Sequence, residues 1–137
     1  MNILLDTDVL IDVALERANF VEAAAALIDF LERHPGTGYI AWHSVSNFYY
    51  LVAPKIGKPS AKDLVLDLVG FVQVSPTTTD HIRTAAQLGM PNFEDAMQAS
   101  AALACGAKMV VTRNISDYAR SPVPAVLPTQ ALELLGG

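Results

Sequence analysis

The sequence predicts an α/β domain, a parallel sheet with helices on both faces, and three observations carry that expectation. Short apolar runs that read as strands alternate with longer segments of helical spacing, the pattern of strand–helix–strand crossovers. The first run, Asn2-Ile-Leu-Leu, is apolar without alternation, as a strand buried on both faces is. No repeat or low-complexity linker interrupts the 137 residues, so residues 1–137 read as a single domain. Right-handed crossovers then leave only a few doubly wound strand orders.

The elements follow in turn. The first strand ends at Asp6, and Thr7 and Asp8 are placed to cap a helix through Val9–Leu15. Phe20 to Arg33 carries apolar residues at helical spacing and stops at His34-Pro35-Gly36. Gly38 to Ala41 is a second strand, and Trp42 to Val52 a helix closed by Pro54. Ser60 caps a helix to Leu68, and Gly70 precedes a third strand, Phe71–Val74. Asp80 caps a helix to Leu88 that Gly89 ends. Asn92 caps Phe93–Cys105, and Met109–Thr112 is a fourth strand. Ala125–Leu127 is a short fifth, before a last helical turn from Thr129.

Composition narrows the function. At 52% hydrophobic and 17% charged the chain is no disordered segment, and its apolar excess leaves surface for a second copy or a partner. A net charge of −5 counts against a plain nucleic-acid-binding module, which would be basic. It does not count against a nuclease whose carboxylates hold cations, because metals reverse the local charge. The single cysteine, Cys105, lies in a helical stretch, excludes an intrachain disulfide and reads as structural. Without a secretory signal or a run of roughly 18 apolar residues, the expectation is a soluble cytoplasmic protein outside the membrane.

In an open α/β sheet, ligands bind beyond the carboxyl ends of the strands, where strand order reverses. Asp6 ends the first strand, and Asn114 and Asp117 follow the fourth in Val-Thr-Arg-Asn-Ile-Ser-Asp. Asp95 opens the helix that leads into that fourth strand. If strands one and four are neighbours, three carboxylates share one crevice and repel unless they hold a cation. Oxygen ligands suit magnesium or manganese better than zinc, and such an ion activates water and neutralises a phosphodiester. Arg113 and Arg120 flank the acids as phosphate-binding candidates. Taken singly, each acid could be a helix cap, a dipole partner or a turn residue; the joint placement points to chemistry. Asp8 and Asp12 read as cap and surface. His34, His43 and His81 are not spaced as a metal set, and Trp42, Phe48, Tyr49 and Tyr50 read as core or dimer contacts.

Three segments resemble PIN-domain motifs in family order. Leu4-Leu-Asp-Thr-Asp-Val-Leu-Ile-Asp12 resembles the opening strand and D-T-N/D-x-L. Phe93-Glu-Asp-Ala-Met-Gln-Ala-Ser-Ala-Ala102 is similar to the D-A-x-x-A-A helix, and Val111-Thr-Arg-Asn-Ile-Ser-Asp-Tyr118 to the closing T-x-N-x-x-D-F element. The resemblance implies a PIN-like three-layer fold with sheet order 3-2-1-4-5. It also implies a ribonuclease similar to the VapC-like toxins of toxin–antitoxin pairs, which dimerise and are silenced by a small antitoxin protein. Asp6, Asp95 and Asp117 then become metal and catalytic ligands for magnesium or manganese, with Asn114 orienting the last acid. RNA phosphodiesters would be hydrolysed by metal-activated water. One departure stands out: Asn47 occupies the place of the usual glutamate, which weakens a second metal site, and Glu94 beside Asp95 is a partial substitute. Two rivals follow: a PIN-like module that binds RNA or protein without turnover, and a haloacid-dehalogenase-like phosphatase. The latter is imitated by Asp6-Thr-Asp8, but Lys108 precedes the fourth strand and no Asp-Asp pair follows it.

Overall fold

The computed structural model describes all 137 residues, Met1–Gly137. Strands β1 (Asn2–Leu5), β2 (Gly38–Ile40), β3 (Gln73–Val74), β4 (Ala107–Val111) and β5 (Ala125–Val126) form one sheet in the order β3-β2-β1-β4-β5. Every pairing is parallel, so the expected fold class and strand order are both found. The connections are α1 (Thr7–Ala14), α2 (Val21–Arg33), α3 (Trp42–Ile56), α4 (Lys58–Leu68), α5 (Thr79–Gln87), α6 (Phe93–Ala104) and α7 (Pro128–Leu134). A 3-10 turn, Ile115–Tyr118, follows β4. No helix is long and apolar enough to cross a membrane.

β1 takes the centre because its side chains serve both layers. Ile3 and Leu5 join a core of 18 buried residues with the helices of one face, including Val9, Leu27, Phe48 and Val52. Leu4 joins a smaller core of 8 on the α6 face. β4 repeats the division, with Met109 and Val111 on the larger side and Val110 on the smaller. Each such aliphatic side chain contributes about 1.5–3 kcal/mol when fully buried. The unbroken apolar run therefore has a direct cause: neither face of the strand meets water.

Several boundaries differ from expectation, each for a physical reason. Asp6, not Thr7 or Asp8, caps α1: its backbone is extended and its carboxylate accepts the Thr7 N–H at 2.7 Å. α3 continues through Pro54 to Ile56, because Val52 and Ala53 are buried and a proline in the last turn forfeits a single hydrogen bond. α4 starts at Lys58 with Pro59 in its first turn, ahead of Ser60. Thr78, not Asp80, caps α5; its N–H donates to His81 Nδ1 at 2.9 Å, and Asp80 pairs with Arg83 on the surface. β3 is confined to Gln73–Val74, because Phe71 and Val72 still donate to the Leu68 carbonyl as the chain leaves α4.

The end of α1 matters for the site. Glu16 adopts a left-handed backbone (φ 49°), the Glu16 N–H donates to the Val13 carbonyl, and the Arg17 N–H reaches back to the Asp12 carbonyl at 3.0 Å. This is the six-to-one and five-to-two pairing of a Schellman turn, normally closed by glycine. A non-glycine residue there costs about 1–2 kcal/mol. Glu16→Gly is therefore expected to raise stability by up to about 1 kcal/mol after glycine's own entropy is counted. An unchanged or lower urea midpoint would show that the Glu16 side chain stabilises the turn in some other way.

Candidate active site

Strand order reverses between β1 and β4, and a cleft of about 500 Å³ opens at their carboxyl ends. Asp6 and Asp8 enter it from the start of α1, and Glu94 and Asp95 from the first turn of α6. Asn47 and Tyr50 of α3, Arg17 and Asn114 complete most of the wall. α6 is aimed by its cap: the Asn92 side chain accepts the Asp95 N–H at 3.1 Å, so both acids occupy the favourable end of the helix dipole.

Asp6 is almost fully buried and held from three directions. One oxygen accepts the Thr7 N–H; the other accepts the Tyr118 hydroxyl at 2.8 Å and the Thr112 hydroxyl at 3.0 Å. The same Thr112 hydroxyl lies 3.1 Å from Asp8 Oδ2, which also accepts the Arg113 N–H and the Asn114 amide. Asp8 Oδ1 is buried with no partner. Beneath the acids, the Thr7 hydroxyl donates to Ser44 Oγ at 3.0 Å, and Gln98 Nε2 lies 2.8 Å from the same oxygen. That buried trio ties β1–α1, α3 and α6 together directly under the cleft.

The charges interact as their spacing requires. Burial, then the charge of Asp6, raises Asp8 to a pKa of about 6. Asp95 is also raised to about 6, by burial first and then by Asp6, Asp117 and Glu94. The Tyr118 hydroxyl is pushed far above its ordinary value by burial and by Asp6, so it stays a donor. His43, beside the cleft, is lowered by burial despite Glu94 and Asp6. Cys105 is raised by burial, as befits a structural thiol.

The structure brings Asp6 and Asp95 into one cleft. Asp117 is exposed on the 3-10 turn, close enough for its charge to raise Asp95 but outside the cleft wall. Asn114 turns its amide to Asp8 at 2.9 Å, and only its carbonyl, accepting the Asp117 N–H, touches the last acid.

Asp8 and Asp12 require correction. Neither is a simple cap or surface residue: Asp8 lines the cleft, and Asp12 is 1% exposed in a 2.6 Å ion pair with Arg113 Nε. Asp12 stands inside the apolar stretch Val-Leu-Ile-Asp-Val-Ala-Leu, and an acid there is the available sequence sign of a buried, paired carboxylate. Arg113 also lies 4.2 Å over the Phe20 ring, so its guanidinium is committed before any phosphate arrives. Losing one partner of such a buried pair typically costs about 3–5 kcal/mol. Arg120 is exposed and donates to the Gly89 carbonyl at 3.2 Å.

Whether these residues suit a divalent ion is a question of donors. The cleft offers carboxylate and amide oxygens and no thiolate, the donor chemistry of magnesium or manganese. The raised Asp8 and Asp95 show carboxylates whose charge is under-neutralised, and Asp8 Oδ1 is an orphaned acceptor. No three His, Cys, Asp or Glu side chains close on a single point. The set therefore fits an ion held by one or two carboxylates plus solvent or substrate oxygens, magnesium's usual mode.

Comparison with known proteins agrees with the fold. The PIN domain family profile matches residues 2–116. The fold is similar to that of VapBC from Salmonella typhimurium bound to DNA, with a TM-score of 0.72 and 18% identity over 93% of this chain and 98% of that one. VapBC2 from Rickettsia felis bound to a promoter DNA fragment gives 0.71 at 16% identity, over 93% and 98%. VapC20 of Mycobacterium tuberculosis, described as a sarcin–ricin loop cleaving toxin, gives 0.64 at 16%, over 80% and 87%. No curated protein matches the chain in sequence.

The two raised carboxyls make stability depend on pH. An acid whose pKa rises on folding is kept protonated by the native state. Its stabilisation is complete below the unfolded value of 3.8 and is lost as pH rises through about 6. With divalent ions chelated, the contribution of these residues to melting temperature is expected to fall across that window and level off above it. Asp8→Asn should make the profile shallower, leaving the share of Asp95. An identical pH profile for the parent and the Asp8→Asn variant would show that Asp8 does not titrate as described.

Proposed function

This chain belongs to the PIN domain family, and on that premise we propose that it is a metal-dependent endoribonuclease, the cytoplasmic toxin of a toxin–antitoxin pair. The observation that carries the proposal is the meeting of Asp6, Asp8 and Asp95 in one cleft at the β1–β4 reversal. Asp6 and Asp95 would hold magnesium or manganese, with Asp117 acting on it from the rim through solvent, and the ion when bound would supply an acidified water and positive charge against the phosphodiester. The protein's own contribution is orientation. Thr7, Thr112 and Tyr118 fix the Asp6 carboxylate; Asn114 and the Arg113 N–H fix Asp8; Asn92 fixes the turn that carries Asp95. Arg113 and Arg120 would meet the nucleic acid from the β4 side, Arg113 only through donors that Asp12 leaves over.

The described cleavage of the sarcin–ricin loop by one structural neighbour supports an RNA substrate. The VapBC complexes among the neighbours support a small antitoxin partner. An apolar groove of about 160 Å³ between α1, α2 and α4 offers it a seat, with Leu10, Val13, Ile28 and Phe71 in the wall and Glu32 and Asp67 at the edge. Such a groove suits an apolar segment flanked by basic residues. A homodimer would cover the exposed aromatic face of α3, where Trp42 and Tyr50 are each over 70% exposed. The phosphatase alternative lacks its lysine, because no lysine lines the cleft and Lys108 is exposed on β4.

Cleavage of RNA should require magnesium or manganese and stop in EDTA. Asp6→Asn should remove turnover while the fold survives, since asparagine remains a good N-cap. Cleavage by the Asp6→Asn variant at the parent rate would place the chemistry elsewhere.

Asn47 separates nuclease from binding module. It lines the cleft where a carboxylate would add negative charge, so Asn47→Glu should tighten binding of a second divalent ion and raise activity at low metal. Calorimetric metal titration beside a thermal melt is the measurement. A lower melting temperature with unchanged metal affinity would mean that Asn47 is structural and that the new carboxylate is buried unpaired.

A further inference from the structure

We infer that Arg17 binds the phosphate backbone of the RNA in the acid cleft, an assignment that rests on the nuclease reading above. An acidic cleft must admit a polyanion. An ion among the carboxylates offsets charge at one phosphate, while the flanking phosphates still face Asp8, Glu94 and Asp95. Arg17 is the only lysine or arginine in the cleft wall.

Its backbone is fixed before substrate arrives. The Arg17 N–H is held by the Asp12 carbonyl at 3.0 Å, and the Arg17 carbonyl accepts the N–H groups of Phe20 at 3.1 Å and Val21 at 2.9 Å. The left-handed Glu16 before it turns the chain into this position.

The side chain, by contrast, is only loosely engaged. Arg17 reaches Asp12 Oδ1 at 3.8 Å and is 43% exposed, whereas Arg113 grips Asp12 Oδ2 at 2.6 Å and is 22% exposed. Two guanidinium groups thus share one buried carboxylate, and the nearer one neutralises it. The remaining positive charge sits on Arg17, at the cleft wall. A guanidinium has five N–H donors, and an ion pair at 3.8 Å leaves them free for the two-pronged contact that phosphate oxygens accept. Arg113 is held by Asp12 and stacked on Phe20, and Arg120 lies outside the cleft wall with one N–H on the Gly89 carbonyl, so within the wall the loosely held guanidinium is that of Arg17. Asp12 aims both arginines: its carbonyl sets the Arg17 backbone and its carboxylate holds Arg113 aside.

The test is binding of a fluorescently labelled single-stranded RNA oligonucleotide to the full chain, with calcium in place of magnesium, across a salt titration. A phosphate contact makes affinity fall with salt, by about 0.7 in log–log slope per phosphate neutralised on a single strand. Arg17→Ala should weaken binding several-fold and make the slope shallower by about that amount. Arg17→Lys should keep most of the slope. In cleavage assays Arg17→Ala should raise KM far more than it lowers kcat, the mark of binding shared by ground and transition states. Arg17→Gln, which keeps a hydrogen-bonding group for Asp12, gives the same comparison if the alanine variant folds poorly. A parent chain that binds RNA while the variants keep its slope and lose only melting temperature would overturn the inference, leaving Arg17 a structural partner of Asp12. A parent chain that neither binds nor cuts RNA would overturn the nuclease reading, and this assignment with it.

Discussion

The carboxylate of Asp6 terminates a strand buried on both faces, and its charge must be met by donors from the elements around it. Thr112, the residue after β4, supplies one, the 3-10 turn supplies Tyr118, and α1 supplies the Thr7 N–H. One of these donors is shared. The single proton of the Thr112 hydroxyl faces Asp6 and Asp8 at nearly equal distances, so it cannot serve both fully. The other oxygen of Asp8, Oδ1, is buried without a partner, and burial and then the charge of Asp6 lift the Asp8 pKa to about 6. Asp95 is lifted equally from the other side. The cleft is thus built short of positive charge, and it is the sheet that holds these like charges together against their repulsion.

A second consequence is a gradient of charge across the cleft. The α6 side carries Glu94 and Asp95 without basic partners in the wall. The α1 side ends in Asp12 with two arginines, one deep and stacked on Phe20, the other shallow and exposed. The net charge of −5 conceals this arrangement, because it averages an acidic pocket with a locally basic edge. For a polyanion entering the cleft, local charge decides the outcome, since salt screens contributions from beyond roughly 8–10 Å.

The structural neighbours share the fold at 16–18% identity, and the reason lies in the core. The demand on β1 and β4 is that both faces be apolar and close-packed, which many combinations of aliphatic residues satisfy. A site is less tolerant, because charge and donor position act over a few ångströms. Asn47 illustrates this: it lines the cleft as a neutral amide, at a position where a carboxylate would add charge.

What the sequence by itself determined was local or periodic. Apolar runs and caps specified the parallel α/β fold, and the motif order placed Asp6 after the first strand, Asp95 in the first turn of the helix before the fourth strand and Asp117 after that strand. Tertiary structure alone decided how otherwise similar acids and arginines divide their roles. Asp8 and Asp12 stand one turn apart on α1, and their partners Arg113 and Asn114 lie about a hundred residues away in sequence. The apolar stretch around Asp12 signals burial, but no local pattern names Arg113 as its partner or turns Asp8 to the cleft. Arg17, Arg113 and Arg120 are alike as letters, and they differ because Arg113 meets the buried Asp12 carboxylate at 2.6 Å, Arg17 only at 3.8 Å, and Arg120 a carbonyl. Charge interactions depend on distance and burial, and both exist only once β4 has packed beside β1.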